Sequence, residues 1–272
     1  MKIHMMQGWR LTVKHLYIVI LLFLYQLLWG FFLYRFIDSV VSPLLRRFPG
    51  SYPSDTAAQL FMTEAQFQLF KTDLITPYLW IFGGLFAARM LLTPVFNAGL
   101  FYSLQQTRGD GAGTRFLEGI RKTWKPVMLL YWLESILALA PAWWLLPHTL
   151  DSLLASGSIP ELLLGVMPWA GLWLLWGTVL HLLSLAMQLG AVSGEGIFRS
   201  LWRAVRNFLM YAAISLVMWA IGAALGLVVS SLSLVWAGLF ALIVHQGYHL
   251  VRTLLKVWTV ASQLDYLQSK QA

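Results

Sequence analysis

Cysteine is absent from this chain, which removes disulfides, thiolate metal sites, a cysteine nucleophile and sulfur-linked prenyl or palmitoyl anchors together. Charge is scarce: 11% of the residues are Asp, Glu, Lys or Arg, against roughly 25% in soluble domains. HExxH, GxSxG and Walker sequences are missing. No segment between the apolar runs is long enough for a nucleotide-binding or hydrolase domain, so nothing points to a catalytic residue, a metal or a cofactor. What is plentiful is apolar surface, 59% of the 272 residues with fourteen Trp, a composition that no ordinary water-soluble domain carries.

Between Phe208 and Val251 no residue bears a formal charge, a length of helix about twice what a ~30 Å hydrocarbon core requires. Comparable stretches lie at about 16–34, 77–104, 126–146, 164–191, 208–230 and 233–251. The sequence therefore predicts an all-α integral membrane bundle, one polytopic domain over residues 1–272 with six transmembrane helices. The run Leu16 to Leu33 is too long for a signal-peptide core and lacks a small-residue cleavage site after it, so it reads as the first span. Ser230-Ser231-Leu232-Ser233 reads as the turn of a hairpin joining the last two helices. Residues 38–73 form the one sizeable external loop. Within it, Leu60, Phe67 and Leu74 repeat at seven in a helical stretch from Thr56 to Phe70, which reads as a surface anchor or a cap on the bundle.

Lys and Arg are retained on the cytoplasmic side. Placing both termini inside puts Lys2, Arg10, Lys14, Arg108, Arg115, Arg121, Lys122, Lys125, Arg199, Arg203, Arg206, Arg252, Lys256 and Lys270 there, leaving Arg35, Arg46, Arg47 and Lys71 outside. The formal charge of +8 thus reads as positive-inside bias against an anionic leaflet; the basic residues are too dispersed for nucleic acid.

Three basic amphipathic segments each precede a spanning hairpin: Trp9 to Lys14, Ile120 to Lys125 and Trp202 to Arg206. In the second, Phe116, Ile120 and Trp124 are four apart, while Glu118 can pair with Arg121 and Lys122. In the third, Phe198, Trp202 and Val205 share one face and Arg199, Arg203 and Arg206 another. They read as a repeated unit of short interfacial helices, with Arg121, Lys122, Lys125, Arg199, Arg203 and Arg206 meeting lipid headgroups. The stretches Gly109-Asp110-Gly111-Ala112-Gly113 and Ser193-Gly194-Glu195-Gly196 read as turns. Spanning helix, Gly-bearing turn, interfacial segment Gly196 to Asn207 and a further spanning helix together resemble uncharacterised bacterial multi-pass proteins related to the glycerophosphodiesterase membrane domain, over roughly residues 90–267. The resemblance implies a bacterial plasma-membrane protein. It transfers no enzymatic residue, because the catalytic domain of some relatives has no counterpart.

Arg89 lies ~21 Å and Glu134 ~12 Å from the cytoplasmic ends of their predicted helices. An ionised group near mid-membrane costs roughly 2.5–3.5 kcal/mol on insertion scales, so the two are expected to pair. His181, His245 and Gln188 extend a candidate polar layer, with His181 and His245 at depths that overlap that of Glu134, and His245 and His249 share a helical face. Gly222, Gly226 and Ser230 form a small-residue stripe for close helix packing with another helix or another copy. Trp80, Trp143, Trp144, Trp169 and Trp236 read as one aromatic belt; Trp9, Trp124, Trp202 and Trp258 read as the other. These features point first to a non-enzymatic accessory or assembly component that acts through contacts with anionic lipid or a membrane partner. The alternative is a small-solute transporter-like bundle using Arg89, Glu134, His181 and His245.

Overall fold

Helices this apolar satisfy every backbone donor and acceptor internally, as hydrocarbon demands. In a computed structural model the described residues, 2–46, 60, 76–106, 116–155, 159–235 and 239–269, contain helices and no strand. The helices are α1 (Lys2–Lys14), α2 (Leu16–Arg46), α3 (Thr76–Gln106), α4 (Phe116–Leu139), α5 (Ala142–Ala155), α6 (Ile159–Ser193), α7 (Ile197–Arg206), α8 (Phe208–Val235) and α9 (Leu239–Ser269). Five stretches among the described residues are long and apolar enough to cross a membrane: Leu16–Val40, Thr76–Gln106, Phe116–Thr149, Gly165–Ser193 and Phe208–Leu232. The expected sixth span, 233–251, runs through 236–238, outside the described residues. Its remainder in α9 is interrupted by His245, Gln246, Tyr248 and His249. The expected surface helix at 56–70, apart from Leu60, and the turn at 109–113 also fall outside the described residues.

Two compact units make up the chain, Met1–Ile20 with Pro94–Ala272, and Leu21–Thr93. In the smaller unit, Tyr25 and Thr93 share a hydrogen bond of 3.0 Å and the Phe36 and Phe82 rings pack at 5.7 Å. In the larger unit the core gathers at one end of the helices. Ala98 to Leu104, Leu185, Ala186, Leu189, Tyr211, Ile214 and Val257 to Leu267 are mostly buried there, whereas large side chains of α4 and α6 farther along, such as Leu133, Ile136, Leu172 and Leu175, are exposed. That exposure is what lipid-facing helices require. Pro141 ends α4, and two indoles of α6 take over the carbonyls this frees: Trp173 donates to Ala138 O at 2.8 Å and Trp176 to Leu137 O at 3.0 Å. Trp144 and Trp169 pack edge to face at 5.0 Å.

The expected turn at Ser230–Ser233 is a continuation of α8, which runs to Val235. Ser231 donates its hydroxyl to Leu227 O at 2.9 Å, the i−4 bond that lets serine sit within a helix. The last two helices are nevertheless antiparallel neighbours. Tyr248 donates to Gly222 O at 3.0 Å, and Gln263 reaches Ser215. Gly222 and Gly226 open the groove that Tyr248 and Leu255 enter, so these two positions of the small-residue stripe face α9.

The three basic segments each seat a pair of small residues on another helix. On α1, Gly8 and Thr12 are buried against α9, where a Cβ on Gly8 would lie 2.7 Å from Ser262 N and 2.8 Å from Ser262 Cα. On α4, Gly119 and Thr123 are buried, and a Cβ on Gly119 would lie 2.5 Å from Tyr102 Cβ of α3. On α7, Ser200 and Ala204 are buried, with Ser200 against Gly190 of α6 and its hydroxyl on Ala186 O. Thr12 and Thr123 fold back identically, donating to Gly8 O and Gly119 O at 2.8 Å. The second segment is not a separate interfacial helix: α4 continues unbroken through Pro126, since proline early in a span loses one bond that neighbours can offset. Its Phe116 is buried over Gly99 instead of meeting lipid.

The α1 seat is reinforced over a long sequence separation. Trp258 donates to Met5 O at 2.7 Å and packs on Trp9 at 4.9 Å. His4 Nδ1 lies 2.8 Å from Asp265 Oδ2, and Gln7 points its amide nitrogen at the same carboxylate, 2.7 and 2.6 Å away. His15, at the junction of α1 and α2, is buried; burial first, and Lys14 second, hold its imidazole below the usual 6.5. The unfolded chain therefore takes up this proton before the folded protein does. Stability linked to His15 is full above the unfolded value and is lost as pH falls through about 6.5 toward the lowered folded value. A melting temperature that drops on acidification across this window, and drops less in His15→Asn, is the expected result in detergent.

Candidate functional site

Two constellations in the larger unit carry polar chemistry. The first is built on facing turns of α4 and α6. Glu134 projects from α4 with its side chain 14% exposed, and His181 Nδ1 meets its Oε1 at 2.7 Å while remaining 62% exposed. Gln188, two turns along α6, donates to Glu134 Oε2 at 3.3 Å and to Ser184 Oγ at 3.1 Å. Both carboxylate oxygens thus have donors, which is what a carboxylate at this depth requires. The spacing Glu134 on one helix and His181, Ser184, Gln188 on the next puts all four along one contact line, because residues three, four and seven apart share a helical face.

The structure thus brings Glu134, His181 and Gln188 together. Arg89 lies on α3 before Pro94, in the smaller unit, so its pairing with Glu134 is outside what either unit describes by itself. His245 belongs to α9, but its side chain is outside the described residues. Among the described residues no group of three or more His, Cys, Asp or Glu is placed to hold a metal ion.

The second constellation is α7. Gly194 and Gly196 take φ of 75° and 95°, values that favour glycine, and turn the chain sharply between α6 and α7. Glu195 between them meets Arg203 Nη1 at 2.8 Å, clamping the turn to the helix. With Ser200 and Ala204 held against α6, the other faces of α7 are forced outward: Phe198 is 84% and Trp202 72% exposed, and Leu209 just beyond continues the stripe. Arg199 and Arg206 are exposed beside it. Arg203 is spoken for by Glu195, as Lys122 of α4 is by Glu118 at 2.8 Å, so two of the six expected headgroup contacts have their charge offset within the protein.

Sequence reading missed the α9 seat altogether. Arg252 and Lys256 mark 251 as the end of a span, yet α9 continues to Ser269 with residues 261–267 buried in unbroken succession. The available signal was the helical period of Val257, Val260, Ala261, Leu264 and Leu267, together with Gly8 and Thr12 four apart. Comparison of the chain with family models, curated proteins and solved structures finds no match.

Proposed function

We propose that this chain is an integral membrane protein without chemistry of its own, an accessory or assembly component that works by contact with anionic lipid and a membrane partner. The carrying observation is α7. A helix held to the bundle by serine and alanine while offering Phe198 and Trp202 outward, beside Arg199 and Arg206, has the division of faces that suits a membrane interface. Burying those two rings among acyl chains would remove their apolar area from water. Six crossings fit this reading. α1 packs on α9, which brings the first and last helices to one side, and α9 runs antiparallel along α8, supplying a return to the five apolar spans. The excess of Lys and Arg supports putting that side in the cytoplasm, and the resemblance noted in the sequence supports a bacterial plasma membrane.

The absence of native cysteine permits a direct test. Nitroxide labels at Phe198→Cys and Trp202→Cys are expected to show the oxygen access of acyl chains in bilayers, whereas a label at Arg199→Cys meets water-soluble quencher. Water access at all three positions would refute the contact surface. A second reading, a small-solute transporter, is favoured by the Glu134–His181 pair at 2.7 Å, since an acid and an imidazole joined within a span are the parts of a proton-linked path.

A further inference from the structure

The three seats define a common register. Gly8, Gly119 and Ser200 occupy one position, and Thr12, Thr123 and Ala204 the position four residues on. The next two residues are then Val13-Lys14, Trp124-Lys125 and Val205-Arg206. In every copy the pair is an apolar residue and a cation, and all six side chains are exposed. In the first and third copies the residue that follows, His15 or Asn207, stands where the segment passes into a spanning helix, and in the second Pro126 lies within the continuous α4.

One position earlier than Val13, Trp124 and Val205 is the buried small residue, and one earlier again are Leu11, Lys122 and Arg203. Lys122 is paired with Glu118 and Arg203 with Glu195. Lys14, Lys125 and Arg206 have no acidic partner among the described residues; Lys125 lies 5.9 Å from the Trp124 ring centre. In the second and third copies the cation two residues before the apolar–cation pair, Lys122 or Arg203, is thus neutralised within the protein, while the pair's own cation is left open in all three. Three separate segments converge on this arrangement although their sequences share little else.

We propose that Val13-Lys14, Trp124-Lys125 and Val205-Arg206 are three equivalent contacts for the headgroup phosphate of anionic phospholipid. A cation two residues ahead of a spanning helix, as Lys14 and Arg206 are, sits near headgroup depth, with its apolar neighbour at the acyl boundary, and Lys125 takes the same register within α4. This deepens the contact reading above and rests on it for the placement of this end of the bundle at a leaflet surface. It singles out, among the cations with no acidic partner in the described residues, the three at this register position, adds Lys14 to the expected set and sets aside Lys122 and Arg203.

The full chain in mild detergent is titrated with phosphatidylglycerol or phosphatidylcholine, and bound lipid is counted by native mass spectrometry. Phosphatidylglycerol preference is expected to fall about fivefold for each of Lys14→Gln, Lys125→Gln and Arg206→Gln, the factor expected of one basic residue near an anionic surface. The triple variant loses the preference and Lys122→Gln keeps it. The charge-keeping variant Lys14→Arg, Lys125→Arg, Arg206→Lys retains preference, which separates lost charge from lost fold. An undiminished preference in the triple variant, or an equal loss in Lys122→Gln, overturns the proposal. So does protection by inorganic phosphate alone that phosphatidylglycerol does not exceed, since that marks a free-phosphate site. The spin labels on α7 report independently: labels in water with the lipid preference intact overturn the apolar contact through Phe198 and Trp202 and leave the contacts at Lys14 and Lys125 standing.

Discussion

Gly8→Ser is expected to lower the stability of the detergent-solubilised protein by about 1–3 kcal/mol, the usual cost of forcing extra atoms into a packed contact. The new Cβ meets Ser262 along its backbone, 2.7 and 2.8 Å from N and Cα, and backbone cannot rotate away as a side chain can. The same seat on α7 is built the other way round, with serine on the short helix and glycine on its partner. Combining Gly8→Ser with Ser262→Gly removes the Ser262 side chain from the contact but not its backbone, so the double variant should recover only part of the loss. The readouts are a thermal melt and protease cleavage within α9. A double variant no more stable than Gly8→Ser would show that the two seats are not interchangeable.

Replacing Glu134 by leucine should cost as much or more. It leaves the Gln188 amide without one acceptor and His181 without its acid in a setting where water is not at hand, and an unsatisfied buried donor costs roughly 1–3 kcal/mol. The partner at 2.7 Å identifies which cycle to run. Glu134→Leu and His181→Leu together should be less harmful than the sum of the two singles, by about 0.5–3 kcal/mol for groups in one network. Arg89→Gln run against Glu134→Gln tests the expected charge pair in the same way, and additive effects there would leave Arg89 without a role at Glu134. Solute flux in proteoliposomes separates structure from transport. Folded His181→Ala and Glu134→Gln proteins with unchanged flux would leave the transporter reading without its residues.

Hydropathy discloses contrast with water, and much of this fold is written in that contrast. Five of the six apolar runs stand as helices able to span, and the faces of α7 follow from Phe198, Trp202, Arg199 and Arg206 at helical spacing. Helical rise puts His181 at a depth overlapping that of Glu134, but the expected partner of Glu134 is Arg89, and the contacts of Glu134 with His181 and Gln188 come from the structure. Where the partner is protein instead of lipid, hydropathy is silent. The residues past 251 look like an exposed tail because Arg252 and Lys256 face outward, yet the opposite side of the same helix carries Val257, Ala261 and Leu264 into the core. Serines at 230–233 look like a turn because their hydroxyls are polar, but a helix absorbs such hydroxyls on its own carbonyls. Glu118 and Glu195 have the same lesson for charge: a basic face counted from sequence includes cations whose neighbours across a turn have already claimed them.

The seat of α1 on α9 joins Met5 to Trp258 and His4 to Asp265, residues 253 and 261 apart. During synthesis α1 is therefore delivered to the bilayer long before its groove exists, and contacts of such separation come late because the intervening chain must first be ordered. For that interval Gly8 and Thr12 lack the surface that covers them in the finished fold. A polypeptide stalled before residue 262 would insert its spans and still lack the surface on which its leading helix rests, which gives quality control a physical mark for telling unfinished chains from finished ones.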